Sequence, residues 1–182
     1  LIRSDPHWRD GDYYDGPVPK QGIGNAVAVG VPLWMNREAL EHRFGRNRVE
    51  PSGATGHSLD AEFTVEAFLE GLADRAHTTI DPNGLMYLTR AVEYFDLAHE
   101  YGSLRQALAP VTARTLFVSY AGDWRYPAQE TELMHRELVT TGRESRHAVL
   151  DDGLGHGAFL FALDGLAAVV RAFLGGDDDD GG

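Results

Sequence analysis

The 182-residue sequence has no cysteine and a single lysine, Lys20, against fifteen arginines. Without cysteine there can be no disulfide, no thiolate metal ligand and no cysteine nucleophile, so any catalysis must run on oxygen and nitrogen groups. No run of eighteen apolar residues occurs, and no basic stretch followed by an apolar one leads the chain. Neither a membrane span nor a secretory leader is therefore indicated, and the expected location is the cytoplasm. Positive charge is also scarce: 28 acidic residues against 16 basic ones leave a net charge of −12. That balance argues against a nucleic-acid partner, which needs clustered Lys and Arg. An acidic, lysine-poor surface is instead one that stays hydrated at high salt. With 43% apolar residues, the chain is long enough for one domain with a moderate core.

Residues 1–19, rich in proline, glycine and acidic side chains, read as an irregular connecting segment. From 20 to 98 the pattern is helical. Pro32 is expected to split the apolar run 22–35, and Asn36 is an N-cap candidate for a short helix. The stretch 50–60 has the composition of a loop. Apolar residues then recur at helical spacing over 61–77 and, after a turn at "DPNG", over 85–96. Beyond 99 the rhythm changes. "TARTLFVSY" (112–120) reads as a buried strand and "SRHAVLD" (145–151) as a second strand, each followed by a helix, at 127–142 and 158–174. A β-α-β-α order implies an α/β fold with parallel strands over 99–174. The glycine- and aspartate-rich tail, 175–182, is too charged to fold.

In parallel sheets, functional groups gather beyond the carboxyl ends of the strands. Asp123 follows the first predicted strand and His156 the second. An aspartate that accepts the Nδ1 proton of a histidine fixes its tautomer and leaves Nε2 free to take a proton from a nucleophile. The order Asp then His on successive strand ends is that of the α/β-hydrolase triad. Taken singly, an Asp after a strand is most often a cap or turn residue, and a His is most often an ordinary surface or core side chain. The pair stands out by its joint placement, with a glycine beside each residue to let backbone approach. His57, His77 and His135 keep the ordinary reading, and no convincing metal-ligand spacing occurs in the two loops.

Five stretches carry a more specific resemblance: "SDPHWRDGDYY" (4–14), "RFGR" (43–46), "LMYLTRAVEYFDLAHEYGSLRQAL" (85–108), "DWRYP" (123–127) and "GHGAFL" (155–160). In this order, over about residues 1–174, the chain resembles the C-terminal half of the homoserine O-acetyltransferase family of α/β-hydrolase-fold enzymes. The resemblance implies the last two parallel core strands of that fold, with a helical lid at about 20–98 inserted before them. It places the catalytic Asp at Asp123 and the catalytic His at His156. It further implies acetyl-CoA as acyl donor, a small alcohol acceptor, no bound cofactor or metal, and a homodimer formed through the lid.

Two departures qualify what the resemblance implies. None of Ser4, Ser52, Ser58, Ser103, Ser119 or Ser145 lies in a G-x-S-x-G elbow, so the serine nucleophile is expected upstream of a sequence that is incomplete, and this chain alone is expected to be inactive. The family follows its catalytic His with an Asp that holds the amino group of homoserine, and Gly157 stands there. Its substrate-gripping lid Arg and Tyr fall, by ungapped counting, at Val27 and Trp34. A pocket lined by Gly157, Val27 and Trp34 is more apolar than one for an amino acid. An esterase on the same scaffold, or a noncatalytic module, is thus the alternative to an acyltransferase. Two strands cut from a larger sheet would also leave an open edge, from which poor folding of the isolated chain is expected.

Overall fold

The computed structural model describes residues 1–49 and 62–175; the predicted loop at 50–60 and the acidic tail beyond Gly175 lie outside them. The chain divides into two compact units. The first comprises Leu1–Pro32 and Leu40–Phe95, the second Leu33–Ala39 and the chain from Asp96 onward.

The first unit is helical: α1 (Lys20–Gly30), the end of α2 (Arg37–Arg43), α3 (Thr64–Thr79) and α4 (Pro82–Tyr94), preceded by short 3-10 turns at Ile2–Ser4 and Arg9–Gly11. Its core is the contact of α1 with α3, centred on Ile2, Ile23 and Ala76, with Trp8, Ala26, Val27, Ile80, Leu85 and Met86 packed around them. The helices meet closely because α1 carries glycine at the crossing. A Cβ on Gly24 would stand 2.8 Å from the Ala73 carbonyl oxygen. The "DPNG" segment is not a turn ahead of α4 but its first turn: the Asp81 carboxylate accepts from the Gly84 N–H at 2.6 Å, and Pro82 occupies a position where a missing N–H costs nothing. Asp81 also accepts from the buried Tyr13 hydroxyl, which in turn accepts from the Asn83 N–H at 3.1 Å. This pinning ties the N-terminal segment to α4. The same Tyr13 contact is the leading cause that holds the Asp81 carboxyl below its ordinary range.

The second unit contains the start of α2, the short helices α5 (Leu97–Tyr101) and α6 (Leu104–Leu108), then β1 (Thr115–Tyr120), α7 (Ala128–Thr140), β2 (Ser145–Leu150), α8 (Ala158–Phe161) and α9 (Leu163–Gly175). The strands pair in parallel, from Thr115 opposite Ser145 to Tyr120 opposite Leu150. Alternate residues face opposite layers, as strand geometry requires. Phe117, Ser119, Ser145 and His147 face α7: the Ser119 hydroxyl is 2.9 Å from His147 Nε2, and the Ser145 hydroxyl 2.8 Å from His135 Nδ1. Arg114 and Arg146 lie over the Phe173 ring of α9 on the other side. The single helix expected at 158–174 is in fact two, broken at Ala162 (φ −118°, ψ 73°) and bent by 73°. Leu163–Gly175 is thereby free to run across the strands. Among the described residues no single helix is long and apolar enough to cross a membrane.

Burial and the neighbouring His135 push the His147 imidazole below its ordinary value of 6.5, against a smaller opposing pull from Glu132. The unfolded chain therefore binds more protons than the folded one just below pH 6.5, and stability falls as pH drops through that window. Thermal unfolding followed from about pH 7.5 to about pH 5.5 should show Tm declining below neutrality, and the decline should flatten in His147→Gln.

Candidate active site

Asp123 and His156 meet at the carboxyl ends of the two strands. Asp123 lies three residues beyond β1, in a turn closed by its own N–H to the Tyr120 carbonyl at 3.2 Å. Its Oδ1 accepts from the N–H groups of Arg125 (2.9 Å) and Tyr126 (3.0 Å), which fixes the carboxylate in its own loop. Oδ2 is thereby aimed at His156 Nδ1, 3.0 Å away. The side chains are 6% and 11% exposed, so this hydrogen bond is shielded from water.

The two loops are held at this separation by a third segment, Trp34–Asn36. Buried Asn36 caps α2, its Oδ1 accepting from the Ala39 N–H at 2.7 Å, and its other atoms rest against the backbone of both loops. A Cβ on Gly122 (φ +70°) would lie 3.1 Å from Asn36 Nδ2, and one on Gly155 (φ +67°) only 2.9 Å from Asn36 N. Both positions need glycine twice over, for conformation and for space. The expectation of close backbone approach beside each functional residue is met, and Asn36 is what approaches. Its role as a wedge between the loops, added to its capping role, leaves no trace in the sequence.

Gly157 belongs to the same clasp. Its φ is an ordinary −67°, its N–H donates to the Trp34 carbonyl at 2.8 Å, and a Cβ there would stand 3.2 Å from that oxygen. Trp34 is thus held against the His156 loop by its backbone, while its ring meets the His156 imidazole edge-on at 4.8 Å between centroids. Tyr126 (5.2 Å) and Phe159 (5.3 Å) flank the same imidazole. These two aromatic neighbours were not singled out from the sequence, although each lies three residues from a residue that was. Val27, the other residue expected to line the pocket, packs instead against the apolar core of the first unit.

The described serines have other partners: Ser119 and Ser145 pair with His147 and His135, Ser4 with the Leu1 carbonyl, and Ser103 with Gln106. Ser52 and Ser58 lie outside the described residues. Among the described residues no group of three or more His, Asp or Glu is placed to hold a metal ion. The site is therefore an oriented, buried Asp–His pair facing an aromatic wall, an arrangement that can act chemically as a general base.

No family model matches the chain. Curated relatives do: a homoserine O-succinyltransferase of Bordetella pertussis is 38% identical over 176 residues, covering 94% of this chain and 42% of its own length. A homoserine O-acetyltransferase of Methanocorpusculum labreanum is 35% identical over 173 residues, covering 95% of this chain and 35% of its own. Among solved structures, a homoserine O-acetyltransferase from Bacillus anthracis superposes with a TM-score of 0.82 at 26% identity over 95% of this chain. The chain belongs to the homoserine O-acetyltransferase family. Its fold is that of the α/β-hydrolases, as likeness to esterase E22 (TM-score 0.77, 23% identity) also indicates, and it spans less than half the length of these relatives.

Replacing Asn36 by Ala removes a cap and leaves a gap between the two loops, a loss of about 1–2 kcal/mol. Thermal denaturation should register this as a fall in Tm of about 2–8 °C. Gly155→Ala should be at least as damaging, since it adds a clash to an unfavourable φ.

Proposed function

We propose that this chain supplies the base and orienting carboxylate of an O-acyltransferase that works through a Ser-His-Asp acyl-enzyme. The observation that carries this reading is the buried 3.0 Å contact between His156 Nδ1 and Asp123 Oδ2. With Nδ1 donating to Asp123, Nε2 presents a lone pair. It can take the proton of a serine hydroxyl contributed from outside this sequence as that oxygen attacks an acyl thioester, and then return the proton to the leaving thiol. The acceptor hydroxyl is deprotonated by Nε2 in the same way, and the acyl group passes to it. Asp123 stabilises the imidazolium formed in each half-reaction.

Acetyl-CoA is the donor in this reading, and homoserine or a less polar alcohol the acceptor. Such donors are cytoplasmic, and a second copy of the chain joined through the lid is the expected partner. The names of the relatives, which cite both succinyl and acetyl transfer to homoserine, support the reaction class. One observation favours a second reading, ester hydrolysis. Trp34, Tyr126 and Phe159 make an apolar wall at His156, and the residue after His156 is a glycine that offers no carboxylate to an amino group.

The test is an assay of the protein expressed from its whole gene with acetyl-CoA or succinyl-CoA and homoserine, following free thiol release and acylated product by mass spectrometry. Transfer to homoserine or to another alcohol supports the acyltransferase. Thiol release with water as the only acceptor sinks it in favour of the hydrolase. In the active protein, His156→Ala should lower kcat by about 10⁶ and Asp123→Asn by about 10⁴.

A further inference from the structure

Two imidazoles that the active site does not use lie in the layer between α7 and the strands. His135, on α7, has Nδ1 2.8 Å from the Ser145 hydroxyl of β2, and His147, on β2, has Nε2 2.9 Å from the Ser119 hydroxyl of β1. The two rings are 6.1 Å apart between centroids, and both residues are half-buried. From β1 they are faced by Phe117 and Ser119, from β2 by Ser145, and from α7 by Glu132, one turn before His135. The Glu132 carboxylate is held by Arg136, and α6 meets α7 through the Arg105–Glu137 ion pair at 2.8 Å. Among the described residues no carboxylate lies within 4.0 Å of either imidazole, whereas His156 has Asp123.

As neutral rings the two histidines suit this layer, since a hydroxyl can donate to or accept from an imidazole nitrogen. Protonation instead puts two like charges side by side where water is scarce. Moving α7 away relieves both costs. It breaks neither the backbone ladder between the strands nor the opposite layer, where Arg114 and Arg146 meet Phe173 of α9. The other end of α7 leads to the active site: its N-cap is Pro127, and the preceding Tyr126 holds Asp123 through its N–H and flanks His156 with its ring. We propose that α7 is an acid-sensitive latch: protonation of the His135–His147 pair parts α7 from the strands, and the segment 121–127 that orients His156 loosens with it. Burial, and then His135, hold the packed His147 imidazole below its ordinary value against a smaller pull from Glu132, so acid favours the released form.

The experiment is hydrogen–deuterium exchange, read by mass spectrometry on the protein expressed from its whole gene at about pH 7.5 and about pH 5.5 and corrected for the intrinsic exchange rate at each pH. An imidazole that stays neutral while packed and regains its ordinary value of 6.5 on release raises the released fraction about 10-fold at the lower pH. Protection over Ala128–Thr140 and over 121–127 should therefore fall together by about that factor, with Leu163–Gly175 remaining the better protected. In His147→Gln, which stays neutral, the fall should vanish. Should that variant not fold, His135→Gln takes its place, and removal of the neighbouring imidazole should shrink the fall. A fall that persists undiminished in the variant, a loop that keeps its protection while α7 loses it, or equal protection of α7 and α9 at the lower pH overturns the proposal. Exchange reads structure and not turnover, so the outcome is independent of whether the whole protein transfers an acyl group. Titration of His156 alone would leave the protection of α7 unchanged.

Discussion

The site depends on the register of two parallel strands. Thr115 through Tyr120 pair residue for residue with Ser145 through Leu150, and the ladder is carried one step further by the Ala121 N–H to the Leu150 carbonyl at 2.7 Å. Because the strands end level, the loops that follow leave from the same edge, and a side chain three residues past one can meet a side chain six residues past the other. A slip by one residue would reverse the face of every side chain on the slipped strand. If β2 slipped, His147 would turn away from Ser119 and α7, and Arg146 away from Phe173. The two covering layers thus enforce the register that the Asp123–His156 contact requires.

Level strand ends alone would leave two loops free to move apart. Asn36 prevents this by a combination that a larger residue could not reproduce. It is small enough to sit against Gly122 and Gly155, its carboxamide oxygen caps α2, and the chain just before it binds Gly157 through the Trp34 carbonyl. The shell is economical in polar groups: Asp123 Oδ1 is satisfied by two backbone donors and Oδ2 by the imidazole. A buried carboxylate so satisfied holds its position without needing a counter-charge beyond the histidine it orients.

Strands, helices and the Asp–His pair were legible because each is written locally. A short β-rich apolar run marks Thr115–Tyr120, a shorter apolar stretch ends Ser145–Leu150, Pro127 and Gly142 bracket α7, and polar residues after a strand mark a loop where chemistry can sit. What escaped is what depends on contacts distant in sequence. The break at Ala162 follows no proline or glycine, since Phe161 and Leu163 are as apolar as any helix interior, and only the path of α9 across the strands requires it. The "DPNG" run was ambiguous by nature, because an Asp-Pro pair opens a turn and a helix with the same dihedral angles. Val27 and Trp34, seven residues apart, were expected in one pocket by ungapped counting alone. The chain leaves helix α1 between them, at Gly30, so that one packs into a helical core and the other against His156.

Gly157 acquires a different meaning from its contacts. Its neighbour Gly155 needs its glycine for a positive φ; Gly157 does not, since its backbone is helical. What a side chain would meet there is the Trp34 carbonyl, the same atom that receives the Gly157 N–H. A carboxylate at position 157 and a Trp34 backbone clasped this closely to the loop are therefore competing uses of one space. With glycine, the indole edge is drawn against the imidazole, and the polar contact that a carboxylate would have offered is replaced by an aromatic one. The Arg125 guanidinium also lies beside two of these rings, 5.7 Å from the Trp34 centroid and 5.6 Å from that of Tyr126.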